Sequence, residues 1–170
     1  MISINIQNNI VALKDIEQEQ LSYVLDWYNR EDFRFATGME APVDLDALEQ
    51  KLLKCARSSC EFFVGIHGFY EQKLMGVIHG KLSGKALWIN MMAIGREFQG
   101  KGYGTVSMDL LLKYMRQDGN IKAVYLAVAE KNLKGRRFWL RNGFCDMRLA
   151  SERTVFEGEK HNIIIMQKRI

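Results

Sequence analysis

Ile94-Gly95-Arg96-Glu97-Phe98-Gln99-Gly100-Lys101-Gly102-Tyr103-Gly104-Thr105 is the stretch on which the fold turns. It separates a run of strand character, Ala86 to Ile94, from an amphipathic helical run that begins at Gly104. Glycines at alternate positions free the backbone to turn with its N–H groups converging, and the start of the helix adds unpaired N–H groups and a positive dipole end. Such a loop holds a phosphate or pyrophosphate. Gly95-x-x-x-x-Gly100-Lys101-Gly102 stops one residue short of the nucleoside-triphosphate loop, because Gly102 has no hydroxyl to place on Mg²⁺. The dinucleotide fingerprint also fails, since the glycines stand at Gly100, Gly102 and Gly104 and no opening β-α-β unit precedes them.

Upstream of the loop, Glu61–Ile66, Leu74–His79 and Ala86–Ile94 read as strands, and the Ser83-Gly84-Lys85 turn makes them an antiparallel meander. Before them come an apolar start that reads as a strand up to Leu13, a helix over Leu21–Tyr28 and another over Leu45–Ala56. The connection from Asn29 to Asp44, with Phe33, Phe35, Gly38, Met39 and Pro42, is longer than ordinary helix–helix loops, and loops of that length are often functional. Downstream, Val106, Leu110, Leu111, Tyr114 and Met115 share one helix face, and Asp118-Gly119-Asn120 stops it. A buried strand from Ala123 to Val128 follows, then a short helix from Asn132 to Arg141 ending at Asn142-Gly143. Two further strands, Cys145–Phe156 and Asn162–Gln167, flank a Glu157-Gly158-Glu159 turn. The pattern predicts an α/β (α+β) fold, a mixed and mostly antiparallel sheet of about six to seven strands with about four helices around it.

Composition fits one soluble domain over residues 1–170, with 48% apolar and 26% charged residues and no linker or repeat. The 24 basic and 20 acidic residues are interspersed, so the net charge of +4 marks no nucleic-acid arm. With no signal peptide or apolar span, a cytoplasmic protein off the membrane is expected. Cys55, Cys60 and Cys145 contain no C-x-x-C pair, so neither a disulfide framework nor a metal site is implied, and they read as reduced, partly buried residues. The nine methionines suit core packing.

At Gln99-Gly100-Lys101-Gly102-Tyr103-Gly104 the chain resembles the GNAT superfamily, whose acetyl-CoA motif is [Q/R]-x-x-G-x-[G/A]. Asn132-Leu133-Lys134-Gly135-Arg136-Arg137-Phe138-Trp139-Leu140-Arg141-Asn142-Gly143-Phe144 matches a second family pattern, N-x-x-[A/S/G]-x-x-[F/L]-Y-x-x-x-G-F, with one departure. Two motifs in the right order are far more specific than either alone. The resemblance implies an N-acetyltransferase with acetyl-CoA as co-substrate, acting on a small-molecule amine or a peptide N-terminus as a monomer or homodimer. It implies that N–H groups from Gln99 to Thr105, namely Gln99, Gly100, Lys101, Gly102, Tyr103, Gly104 and Thr105, take the pyrophosphate. Met92, Ala93 and Ile94 would line the pantetheine arm, with the Met92 N–H as oxyanion donor. Asn132 and Phe138 match cofactor-side positions, although Asn132 also reads as an ordinary N-cap and Phe138 as core.

The departure is Trp139, which occupies the position of the tyrosine that many members use as general acid; an indole N–H is not a usable acid. The alternative it raises is a module that binds acetyl-CoA without turnover. A primary amine at pKa about 10.4 also has to lose a proton, an access cost of about 4 kcal/mol at neutral pH. The strand Ala86–Ile94 carries no carboxylate, so Glu130 at the exit of the next strand is the first candidate base and His79 the second. His67 and His161 read as turn or surface residues. Lys134, Arg136 and Arg137 read as a solvated basic face. Trp27, Tyr28, Glu31, Asp32, Phe33, Phe35 and Glu40 suit an amine pocket as well as they suit packing. Leu25-Asp26-Trp27-Tyr28-Asn29 and the loop after it bear a faint likeness to the opening of members that modify ribosomal-protein termini.

Overall fold

The computed structural model describes residues 1–37, 39, 41–117, 119–156 and 159–170, without the side chains of residues 37, 151–156 and 159–161. Gly38, Glu40, Asp118, Glu157 and Gly158, together with the His161 side chain, therefore lie outside the described residues. Strands β1 (Asn5–Gln7), β2 (Val11–Asp15), β3 (Glu61–Gly68), β4 (Leu74–Ser83), β5 (Ala86–Ile94), β6 (Ala123–Ala129), β7 (Cys145–Phe156) and β8 (Glu159–Arg169) form one sheet. Its order is β1-β2-β3-β4-β5-β6-β8-β7. All neighbours are antiparallel except β5 and β6, which run parallel. The helices are α1 (Leu21–Tyr28), α2 (Glu31–Thr37), α3 (Leu45–Arg57), α4 (Tyr103–Arg116) and α5 (Leu133–Arg141).

The sheet thus has more strands than the pattern predicts, and the extra one comes from the amino terminus. Asn8 Oδ1 accepts the N–H groups of Ile10 and Val11, each at 2.8 Å. That side-chain turn splits what reads as one strand into β1 and β2. The long connection over residues 29–44 is likewise corrected, because it contains α2. Acidic Glu31 and Asp32 open that helix, Arg34 lies in its last turn, and Phe33 leans on Tyr28 at 5.1 Å between ring centroids. With so few apolar residues in seven, α2 has too short a stripe for periodicity to reveal.

Alternation along the strands sends Phe62, Val64 and Ile66 to a core shared with Met108, Leu111 and Trp139 of α4 and α5. Phe63, Val77, Met91 and Ala93 face the other way, onto Leu21, Val24, Tyr28 and Leu48 of α1 and α3. The sheet is therefore sandwiched, and β5 carries its central site between the two cores.

Candidate active site

Strands β5 and β6 pair only from Ala86↔Ala123 to Ile89↔Leu126, and beyond that point the two strands diverge. The β4–β5 register shifts between His79 and Gly80, leaving Asn90 as an extra, exposed residue in β5. A bulge of this kind bends its strand and breaks pairing, which opens the wedge.

Gly95 N–H donates to the Met75 carbonyl at 2.8 Å, continuing the register Ile94↔Gly76. In an antiparallel ladder every second residue points its N–H and C=O at the partner strand. Ala93 and Met91 therefore face β4, while Met92 and Ile94 aim theirs into the wedge. An independent contact agrees: the Ile94 carbonyl is met from that side by Gln99 Nε2 at 2.9 Å. Met92 and Ile94 thus present backbone groups to the wedge, and Ala93, whose side chain is buried, presents none.

The loop beyond β5 continues this open edge. Phe98 N–H and Gln99 N–H close a short turn onto the carbonyls of Gly95 and Arg96. From Gly100 to Thr105, six consecutive N–H groups have no acceptor among the described residues; the first satisfied donor is Val106, onto Gly102 at 3.1 Å. Gly102 caps α4 without a side-chain oxygen, so nothing in the chain competes for the first turn. Gly100 and Gly102 hold φ of 76° and 86°, and a Cβ on either would meet nothing within 4 Å. These two glycines are required by the left-handed backbone, not by crowding. Gly104 differs, since a Cβ there would lie 3.1 Å from the Phe138 ring, so it lets α4 rest on α5.

Gln99 turns its N–H inward, and its side chain bridges Ile94 to Lys134 Nζ at 2.8 Å. Lys101 and Thr105 are exposed, and Tyr103 is half-buried with its ring edge-on to Phe98. Asn132 Oδ1 caps α5 by accepting from Gly135 N–H at 2.9 Å. Glu130 is exposed one residue past β6, on the diverging side of the wedge, with Oε2 accepting from Asn162 at 2.9 Å. Trp139 is buried between Phe138 and Phe144, with ring centroids at 4.8 and 5.1 Å. Arg136 pairs with Asp146, so the basic face of α5 is partly committed within the chain.

Three side chains sit differently from expectation. His67 belongs to β3 and is buried, because its neighbours Leu74 and Gln20 cover that end of the sheet; its Nε2 lies 2.8 Å from Gln20 Nε2. His79 lies in the middle of β4, buried against Glu61 at 3.2 Å on the sheet face that carries Phe63. Cys145 begins β7 but is exposed, at an outer strand of the sheet. Arg96, from the loop, meets Arg30, Glu31 and Asp32 of the α1–α2 region around an open cleft of about 330 Å³. Sequence reading offers Glu31 and Asp32 but not Arg30 or Arg96; the loop's own motif hides Arg96 among glycines. Arg30 binds Asp32 through Nε and Nη2 at 3.0 and 2.7 Å and holds its carboxyl below the usual range.

An open strand edge continuous with an unpaired helix start is an arrangement suited to an extended, phosphate-bearing ligand. The chain belongs to the acetyltransferase (GNAT) family, whose model matches residues 21–144. Over 105 residues it is 28% identical to an uncharacterized N-acetyltransferase of Methanocaldococcus jannaschii, covering 59% of this chain and 66% of that protein. It is 25% identical over 93 residues to a probable spermine N(1)-acetyltransferase of Bacillus subtilis subsp. natto, covering 50% and 61%. The chain thus spans just under two thirds of the lengths of these relatives. Its fold matches spermidine N-acetyltransferase from Vibrio cholerae, solved with CoA and spermine, at a TM-score of 0.84, 20% identity and 95% and 96% coverage. It also matches an acetyl transferase of Salmonella typhimurium that modifies the N-terminal serine of ribosomal protein L7/L12, at 0.83, 13% identity and 96% coverage of each chain.

Proposed function

We propose that the chain, acting as one domain, transfers the acetyl group of acetyl-CoA to a primary amine with both substrates bound together. The observation that carries this reading is the run of six unpartnered N–H groups from Gly100 to Thr105, continuous with the open backbone of Met92 and Ile94. Those donors fit a pyrophosphate, and the open space over Gly100 and Gly102 leaves room for one. Lys101 and Lys134 add positive charge on either side. Bound acetyl-CoA supplies an activated thioester. The Met92 N–H is aimed to donate to the carbonyl oxygen as negative charge develops there, and the wedge aligns the acetyl group against the acceptor.

Glu130 stands at the open end of the wedge, where it accepts the proton of the incoming ammonium through water. The acceptor enters beside Glu31, between α2 and the loop. A polyamine is the acceptor we favour over a peptide N-terminus, because a probable spermine acetyltransferase is among the relatives matched in sequence and Glu31 supplies a carboxylate for a second ammonium. The test is thiol release from acetyl-CoA with spermidine or a short peptide as acceptor. Release with spermidine, lost in Gly102→Glu, supports the reading; release with the peptide alone overturns the acceptor choice; failure of the wild type to bind acetyl-CoA overturns the whole.

Trp139 motivates a second reading, binding without turnover, since a buried indole offers no proton for the departing thiolate. Acetyl-CoA binding by calorimetry with no thiol release for any amine would favour it.

A further inference from the structure

Among the described residues, one group of metal-competent side chains lies apart from the wedge. Cys55 near the end of α3, Glu61 at the start of β3 and His79 in β4 bring a sulfur, a carboxylate oxygen and a ring nitrogen within 4.8 Å of one another. The fold enforces this meeting. Glu61 and Phe63 share a face of β3, and Phe63 stands opposite His79 in the β3–β4 ladder, so Glu61 and His79 are diagonal neighbours. A short turn, in which Ser58 N–H closes onto the Cys55 carbonyl at 2.9 Å, leads from the end of α3 into β3, so α3 lays its thiol over the same pair.

We propose that Cys55, Glu61 and His79 form a zinc site that ties α3 to the sheet. A thiolate, an imidazole and a carboxylate are the donor types zinc takes, and His79 Nε2 and Glu61 Oε2, 3.2 Å apart, match the edge of about 3.3 Å between ligands on a tetrahedral ion. Cys55 and His79 are 2% and 7% exposed, and the Phe63 ring, 5.6 Å from that of His79, walls one side, so bound charge is shielded from water. Thiolate and carboxylate together balance the ion's two positive charges. The cations facing the group are Lys51, whose Nζ lies 3.5 Å from Tyr28 Oη, and the Met1 ammonium, bonded to the Ala56 carbonyl at 2.8 Å. Asp15 is the further acid, engaged by Ser3 and Ile4. Burial pushes the Cys55 thiol up to about 11, so zinc binding releases a proton. Because the donors come from a helix end and two strands, no C-x-x-C spacing announces them. His79 pairs with Met91 beside the bulge, so the ion would brace the strands that open the wedge.

Cobalt(II) chloride titrated into the reduced full chain tests this. One equivalent should give a near-ultraviolet sulfur-to-cobalt band with visible four-coordinate bands, displaced by zinc chloride and lost in both Cys55→Ser and His79→Gln. No band in the wild type, or a band surviving Cys55→Ser through Cys60 or Cys145, overturns the proposal. Should the variants fail to fold, slow alkylation of the wild type decides. Zinc must protect Cys55 and leave Cys145 reactive, as read by peptide mass spectrometry, and an unprotected Cys55 overturns it.

Discussion

Gln99 Nε2 donates to the Ile94 carbonyl at 2.9 Å, pinning the last open backbone group of β5 to the residue that begins the glycine run. The same side chain accepts from Lys134 on α5, so three elements meet at one amide. Gln99→Leu should lose both bonds and release the loop. Acetyl-CoA binding should weaken about tenfold, in line with the loss of one or two hydrogen bonds at about 1 kcal/mol each, with kcat changed less. Calorimetry and steady-state kinetics measure it; an unaltered affinity would show that the loop holds its shape without the bridge.

Gly102 separates backbone strain from charge. At φ 86° any side chain costs about 1–2 kcal/mol, although open space surrounds the position. Gly102→Ala should lower the melting temperature and weaken acetyl-CoA binding moderately. Gly102→Glu should have a similar melting temperature yet abolish binding, because its carboxylate repels the pyrophosphate. Equal affinities in the two variants would remove the anion from the loop.

The glycine loop and α5 are legible as elements of the fold because each is written in contiguous residues: Gln99 to Gly104 and Asn132 to Phe144 each form one local unit. The role proposed for the Met92 N–H rests on family resemblance, since a backbone donor leaves no mark on residue identity. The burial of His67 and of His79 is not written in their own segments, because it depends on what crosses over a strand: Gln20 covers the first and α3 the second, and neither is near in sequence. Arg96 and Arg30 come together for the same reason, across more than sixty residues. Short α2 escaped because seven polar-rich residues gain their stability from docking, not from a periodic stripe.

The buried histidines predict the acid limb of stability. Burial holds both His67 and His79 below the ordinary imidazole range, with Lys14 repelling the first and the Glu61 hydrogen bond partly opposing the shift at the second. A folded value below the unfolded one means the unfolded chain takes up protons first as pH falls. Stability is therefore full above about pH 6.5 and is lost as pH drops from there through the folded values. Melting temperature should fall between about pH 6.5 and 5, and His67→Gln should flatten that slope. A melting temperature that rises on acidification would contradict it.

Trp139 is locked by Phe138 and Phe144 and is only 9% exposed. Trp139→Tyr should leave kcat within about twofold, because a hydroxyl there does not meet the wedge unless the ring reorients, while the smaller ring lowers stability by about 1–3 kcal/mol. Denaturant unfolding and kcat together check this. A large rise in kcat would mean the position faces the departing thiol after all.

Glu31 and Arg96 line the same cleft, but Asp32 is already engaged by Arg30, which leaves Glu31 as the carboxylate available to a second ammonium. Reversing its charge in Glu31→Lys should raise the KM for spermidine about tenfold, the size expected for one partly screened ion pair exchanged for a repulsion. The KM for acetyl-CoA should not move, because none of the residues with the six free N–H groups lines the cleft of Glu31. The effect should shrink at high salt, as an exposed interaction must. An increase in both KM values would place Glu31 in the fold of the loop, whereas no change in either would move the acceptor out of this cleft and toward Glu130.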